Sequence, residues 1–166
     1  MSKKVQILLP DIRSAYNVGS IFRSADCFGI DKIYLWGTTP RPIDRFGRSV
    51  SGPQKEISKT ALGAEKDIDW EYIEDIGKLF KQKKKEGFII LAIEQDKKSI
   101  SIEEFLKIQK QNNIENILIV FGNEVLGLDK NILKKSDHII EISMKGNKES
   151  LNVSVCAGLI MYILKS

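Results

Sequence analysis

The sequence predicts an α/β fold, a parallel sheet flanked by helices. Three observations carry that expectation. The N-terminal third reads strand, helix, strand; short runs rich in Val, Ile and Leu recur along the chain; and helical segments separate them. Strands of near-continuous apolar character belong in a sheet covered on both faces. The 166 residues, 42% hydrophobic and 29% charged, suffice for about one domain with a substantial core. A single domain over residues 1–166, beginning at the first strand, is therefore expected.

Val5 to Leu9 is an apolar run stopped by Pro10 and reads as a buried strand. From Ser14 or Asn17 to about Gly29, Val18, Ile21, Phe22, Ala25 and Phe28 recur at helical spacing, with Gly29 as the stop. Lys32 to Trp36 is the next strand. Residues 37–55 carry Gly37, Pro40, Pro42, Gly47, Gly52 and Pro53 and no clean period, which predicts a long loop. A short helix over Lys59 to Lys66 and a short strand over Trp70 to Ile73 follow. Ile76 to Lys85 reads as a solvated helix, and Phe88 to Ile93 as a strand. Ser101, followed by Glu103 and Glu104, starts a helix with the acidic first turn that the helix dipole favours. Ile117 to Phe121 is the most buried-looking strand, Asp129 caps a short helix through Lys134, and His138 to Ile142 is the last strand. Leu151 to Leu164 closes the chain as a helix apolar on nearly every face, which asks for burial against a partner subunit.

The net charge is +4, and its distribution is uneven. All five arginines, Arg13, Arg23, Arg41, Arg45 and Arg48, lie in the first 48 residues, while lysines and acids balance thereafter. A planar guanidinium suits phosphate, so the first third is the place for a polyanion contact. Cys27 and Cys156 sit among apolar residues and read as buried free thiols. No apolar run is long enough for a signal-peptide core or a membrane span, so a cytoplasmic location is expected. One histidine and two separated cysteines give no metal-ligand spacing, and His138 reads as structural. Neither a serine elbow nor a paired-acid pattern is present.

Ligands of open α/β sheets bind beyond the carboxyl ends of the strands, and three polar clusters fall there. The first runs from Asp11 through Asn17 and Gly19 to Arg23. Gly19 permits close backbone approach near a helix N-terminus, a place for an anion, and Arg23 could point back over the same helix end. The same residues also read as a cap plus a surface arginine. The second, Phe121-Gly122-Asn123-Glu124-Val125-Leu126-Gly127-Leu128, brackets a carboxylate with glycines, as a plain turn would too; it is neither a P-loop nor a dinucleotide pattern. The third, Met144 to Ser154, is a polar loop entering the apolar helix, where Ser150 could act as cap.

Together the three clusters resemble the SPOUT superfamily, specifically the TrmH-like (SpoU) RNA ribose 2'-O-methyltransferases. Asn17-Val18-Gly19-Ser20-Ile21-Phe22-Arg23-Ser24-Ala25 looks like the first family motif, Phe121 to Leu128 the second, and Ile142 to Gly146 with Ser150 to Ser154 the third. Ala61 to Lys66 is a further similar segment, and the match extends from Ile7 to Tyr162.

The resemblance implies a C-terminal deep trefoil knot, which periodicity alone would never suggest. It implies S-adenosylmethionine as cofactor, held by Phe121, Gly122, Asn123, Ile142, Met144, Leu151 and Val153, with no metal. It implies a homodimer with the RNA site near the subunit interface. In the implied reaction Arg23 activates the ribose hydroxyl, Asn17 positions the hydroxyl or Arg23, Glu124 braces the substrate loop or Arg23, and Ser150 with Asn152 completes the catalytic pocket. A tRNA is the preferred substrate; the alternatives are an rRNA substrate or a noncatalytic RNA-binding protein of the same fold. No separate RNA-binding extension like that of larger relatives is expected, and RNA is then expected to be held through Arg13, Arg41, Arg45 and Arg48.

Overall fold

The structure, a computed structural model, describes residues 3–44, 46–48 and 52–166. Its elements in chain order are β1 (Lys4–Pro10), α1 (Ala15–Cys27), β2 (Lys32–Trp36), α2 (Gly52–Ala61), α3 (Ala64–Asp67), β3 (Trp70–Tyr72) and α4 (Ile76–Lys85), then β4 (Ile89–Ile93), β5 (Ile100–Ser101), α5 (Ile102–Gln111), β6 (Asn116–Phe121), α6 (Lys130–Lys135), β7 (His138–Glu141) and α7 (Val153–Lys165). The described strands make one sheet in the order β3-β2-β1-β6-β4-β7-β5, all pairings parallel. Every strand therefore presents its carboxyl end to the same edge of the molecule.

Register follows the apolar runs. Ile33, Ile7, Ile119 and Leu91 form one row across β2, β1, β6 and β4, all fully buried. Burying each such side chain stabilises the fold by about 1.5–3 kcal/mol. That face is covered by α1, α2, α3, α5 and α7. The opposite face, with Leu8, Tyr34, Ile90, Ala92, Leu118 and Val120, is covered by α4 and α6. His138 stands at the start of β7 with its ring edge-to-face against Phe105, centroids 5.4 Å apart. Polar caps set the helix starts: Ser14 for α1, Asp75 for α4, Ser101 for α5 and Asp129 for α6 each accept a backbone N–H of the first turn.

Several expectations need correction. The loop after β2 ends by Gly52, where α2 begins; only Ile57 and Ala61 of α2 are buried, too few to write a period into the sequence. The helix expected over Lys59 to Lys66 is instead the end of α2 plus α3, parted by the left-handed Leu62 and Gly63. The two-residue β5 was not expected at all. Asn152 caps α7, its side-chain oxygen accepting the Ser154 N–H at 2.8 Å, so Ser150 is not the cap and the helix starts at Val153. Both cysteines are free thiols, but Cys27 is exposed and Cys156 only half-buried. α7 buries Val153, Ala157, Ile160, Met161 and Leu164 while Val155, Leu159 and Tyr162 stay exposed.

Candidate active site

Beyond the ends of β6, β4 and β7 lies a cavity of about 520 Å³. Its floor is a row of three apolar side chains in register, Phe121, Ile93 and Ile140. One wall is the loop after β6, with Gly122, Asn123, Glu124 and Gly127; the other is the segment after β7, with Ile142, Met144, Ser150, Leu151 and Asn152, closed by Val153 and Cys156 of α7. All seven residues expected to hold the cofactor face this one cavity.

The loop after β6 is folded back on itself by its own hydrogen bonds. Asn123 and Gly127 pair through both backbone groups, at 3.2 and 3.0 Å, and the Asn123 side-chain oxygen accepts the N–H groups of Val125 and Leu126. A Cβ on Gly122 would sit 2.8 Å from the Gly127 carbonyl carbon, and Gly127 has φ +67°, a conformation that favours glycine.

From this loop two consecutive side chains reach the turn before α1. Asn123 donates to the Asp11 carbonyl. Glu124 accepts from the backbone N–H groups of Arg13 (3.0 Å) and Ser14 (3.2 Å) and from the Asn17 side-chain amide (3.0 Å). Asn152 donates to the oxygen of that Asn17 amide at 3.2 Å. Partial burial pushes the Glu124 carboxyl up, but these donors outweigh it and hold it below the ordinary carboxylate range. A chain of hydrogen bonds thus joins Glu124, Asn17 and Asn152, one residue from each motif. Glu124 and Asn152, with Ser150, border the cavity.

Arg23 stands apart. Six residues beyond Asn17, its Cα lies about 9 Å along the helix and about 120° around it. It is exposed on α1 with Tyr16 and Cys27, and among the described residues no hydrogen bond or ion pair joins it to Asn17 or Glu124. Gly19 also differs from expectation. It lies inside α1, and a Cβ there would overlap Thr60 Oγ1 and the Ile57 carbonyl oxygen of α2; the close approach is helix to helix, not to an anion. Of the loop arginines, Arg41 stacks on Tyr72 with its guanidinium 3.5 Å from the ring centroid, and Arg48 pairs with Asp44 at 2.9 Å. Arg13 is exposed, and Arg45 lies outside the described residues.

Glu94 and Gln95 line the cavity from outside the three motifs. Glu94 accepts the Leu128 N–H at 2.8 Å, and Gln95 donates to the Glu149 carbonyl at 2.6 Å. Their only sequence signal is position, directly after a buried strand.

A loop-walled cavity at the carboxyl edge of a parallel sheet defines an α/β ligand-binding domain. The sequence profile of the SpoU rRNA Methylase family matches residues 4–162, and the chain belongs to that family. It is 27% identical over 156 residues to the 23S rRNA (guanosine-2'-O-)-methyltransferase RlmB of Coxiella burnetii, covering 94% of this chain and 56% of that protein. The chain thus spans little more than half the length of the curated relatives it matches. Among solved structures it superposes on the AdoMet-bound rRNA methyltransferase of Sinorhizobium meliloti with TM-score 0.81 at 19% identity, over 99% of this chain and 57% of that one. On the TrmH/SpoU tRNA modifying enzyme of A. aeolicus the TM-score is 0.77 at 22% identity, over 99% and 75%. The fold is therefore the SpoU/TrmH fold, known for its C-terminal trefoil knot.

Proposed function

We propose that the chain is an S-adenosylmethionine-dependent RNA methyltransferase acting on a ribose 2'-hydroxyl, in tRNA by preference. The observation that carries the cofactor assignment is the charge of the cavity. Four glutamates line it, Glu94, Glu124, Glu141 and Glu149, and no lysine, arginine or histidine does so among the described residues. Such a lining suits a ligand bearing an ammonium and a sulfonium and disfavours the phosphates of ATP or NAD. The apolar floor of Phe121, Ile93 and Ile140 offers a surface for an adenine ring.

When bound, the sulfonium supplies a methyl group that needs neither metal nor acid to leave. The chain's own residues then have orientation as their main task. Asn17, fixed between Glu124 and Asn152, positions the ribose hydroxyl; Glu124 keeps the turn at Arg13 and Ser14 in place; Ser150 and Asn152 border the reacting end of the cavity. Arg23 meets the hydroxyl and a neighbouring phosphate from the substrate side and activates the hydroxyl there. Arg13, Arg41, Arg45 and Arg48 hold RNA phosphate. The exposed stripe of Val155, Leu159 and Tyr162 on α7 packs against a second copy. The reaction takes place in the cytoplasm; no helix among the described residues is long and apolar enough to cross a membrane. An rRNA substrate is the second reading, favoured by the activity named for the Coxiella burnetii relative.

Calorimetric titration with S-adenosylmethionine, ATP and NAD tests the cofactor assignment. Binding of S-adenosylmethionine alone is expected. Binding of ATP or NAD, or none by S-adenosylmethionine, contradicts it.

A further inference from the structure

The sheet order places β4 between β6 and β7, so its carboxyl end lies between the two loops that wall the cavity. The β4–β7 pairing continues to Glu94, whose N–H donates to the Ile140 carbonyl at 3.0 Å. The next two side chains diverge. Glu94 turns to the loop after β6: one carboxylate oxygen accepts the Leu128 N–H at 2.8 Å, and a Cβ on Gly127 would overlap that same carboxylate. The other oxygen accepts the Gln95 N–H at 2.9 Å, which fixes the side chain's rotation. Gln95 turns to the segment after β7 and donates to the Glu149 carbonyl at 2.6 Å. The segment from Ser143 to Asn152 has no regular structure, and this bond anchors it to the sheet just before Ser150.

We propose that Glu94 and Gln95 form a positioning pair that sets the separation of the two loops between which the cofactor is held. The inference rests on the function proposed above. Neither residue belongs to the three motifs; Glu94 enters the function proposed above only through its charge, and Gln95 not at all. The geometry leaves each loop with one tie to the same strand end, so a lost tie widens the cavity without unravelling the sheet. Cys156 reports on this directly. It faces the cavity from α7, and its thiol is pushed up to about 11 by burial, with the Glu94 charge adding to the effect.

The test uses the full chain carrying Cys27→Ser, which leaves Cys156 as the one thiol. Gln95→Ala and Glu94→Ala are each expected to raise the Kd for S-adenosylmethionine about fivefold, the scale of one net hydrogen bond. Glu94→Gln, which keeps an acceptor for Leu128, is expected to recover part of that loss. Gln95→Ala changes no charge, so its release of the segment after β7 is read from Cys156 alkylation by a neutral maleimide at fixed pH, expected to quicken about fivefold. Wild-type Kd values in both alanine variants with an unchanged alkylation rate overturn the proposal. A failure of the Cys27→Ser protein to bind S-adenosylmethionine removes the function proposed above; the thiol rate then decides the clamp alone, quickening in its favour and constancy against it. Circular-dichroism melting of each variant separates lost folding from a widened cavity.

Discussion

Replacing Glu124 by alanine strips three donors of their common acceptor: the Arg13 and Ser14 N–H groups and the Asn17 side-chain amide, all within 3.0 to 3.2 Å of the carboxylate. Hydrogen bonds to a charged group are each worth up to about 1.5–3 kcal/mol when buried. This carboxylate is largely exposed, so water replaces much of each bond and the net loss shrinks to about 1 kcal/mol. In a chain of this size that lowers the melting temperature by about 2–4 °C. The larger effect falls on the site, because Asn17 loses the contact that orients it toward Asn152. The pH dependence has a defined sign. The folded-state pKa of Glu124 is depressed, so its contribution is full above the unfolded value and disappears as pH falls through the folded one, below the usual carboxylate range. Melting curves between about pH 7 and pH 3, for the wild type and for Glu124→Ala, are the assay. Their difference should close toward the acid end. A gap that persists unchanged at low pH, or no gap at neutral pH, refutes the reasoning.

Gly19→Ala should cost about 1–3 kcal/mol, read by urea unfolding, because α1 and α2 must separate to admit the methyl group; wild-type stability would show that the contact yields freely. Combined replacement of Arg41, Arg45 and Arg48 by alanine should weaken RNA binding and lower its salt slope by about 2 while leaving the affinity for S-adenosylmethionine unchanged. An unaltered slope would remove the arginine loop from the RNA site. Val155→Asp with Leu159→Asp should convert a dimer into a monomer in sedimentation, since the exposed stripe of α7 would then carry charge; a wild-type protein that is already monomeric refutes the assignment.

How far the sequence reaches differs from element to element. β1, β2, α4 and β6 were readable because apolar runs and capping residues are local signals. α2 was not, since two buried residues in ten leave no period. Gly19 shows a related limit: the sequence reveals a missing Cβ but not which neighbour occupies the space, here Thr60 and Ile57. The order β6-β4-β7 has no local signature, so nothing marked Glu94 and Gln95 as standing between two loops. The residues facing the cavity were anticipated only through resemblance. Composition and spacing alone left each of the three clusters as readable as a turn or cap. Arg23 was anticipated by the same route, and helical geometry, six residues and about 120° beyond Asn17, sets its Cα on a different ridge of α1 from that of Asn17.

The most direct test of the central claim is transfer of a labelled methyl group from S-adenosylmethionine to total tRNA and, separately, to rRNA, with the product resolved by nucleoside mass spectrometry. A 2'-O-methylated nucleoside is expected, in the tRNA pool by preference, and it should disappear with Arg23→Ala. Cofactor binding without label in either RNA pool, or label on a base instead of a ribose, contradicts the claim.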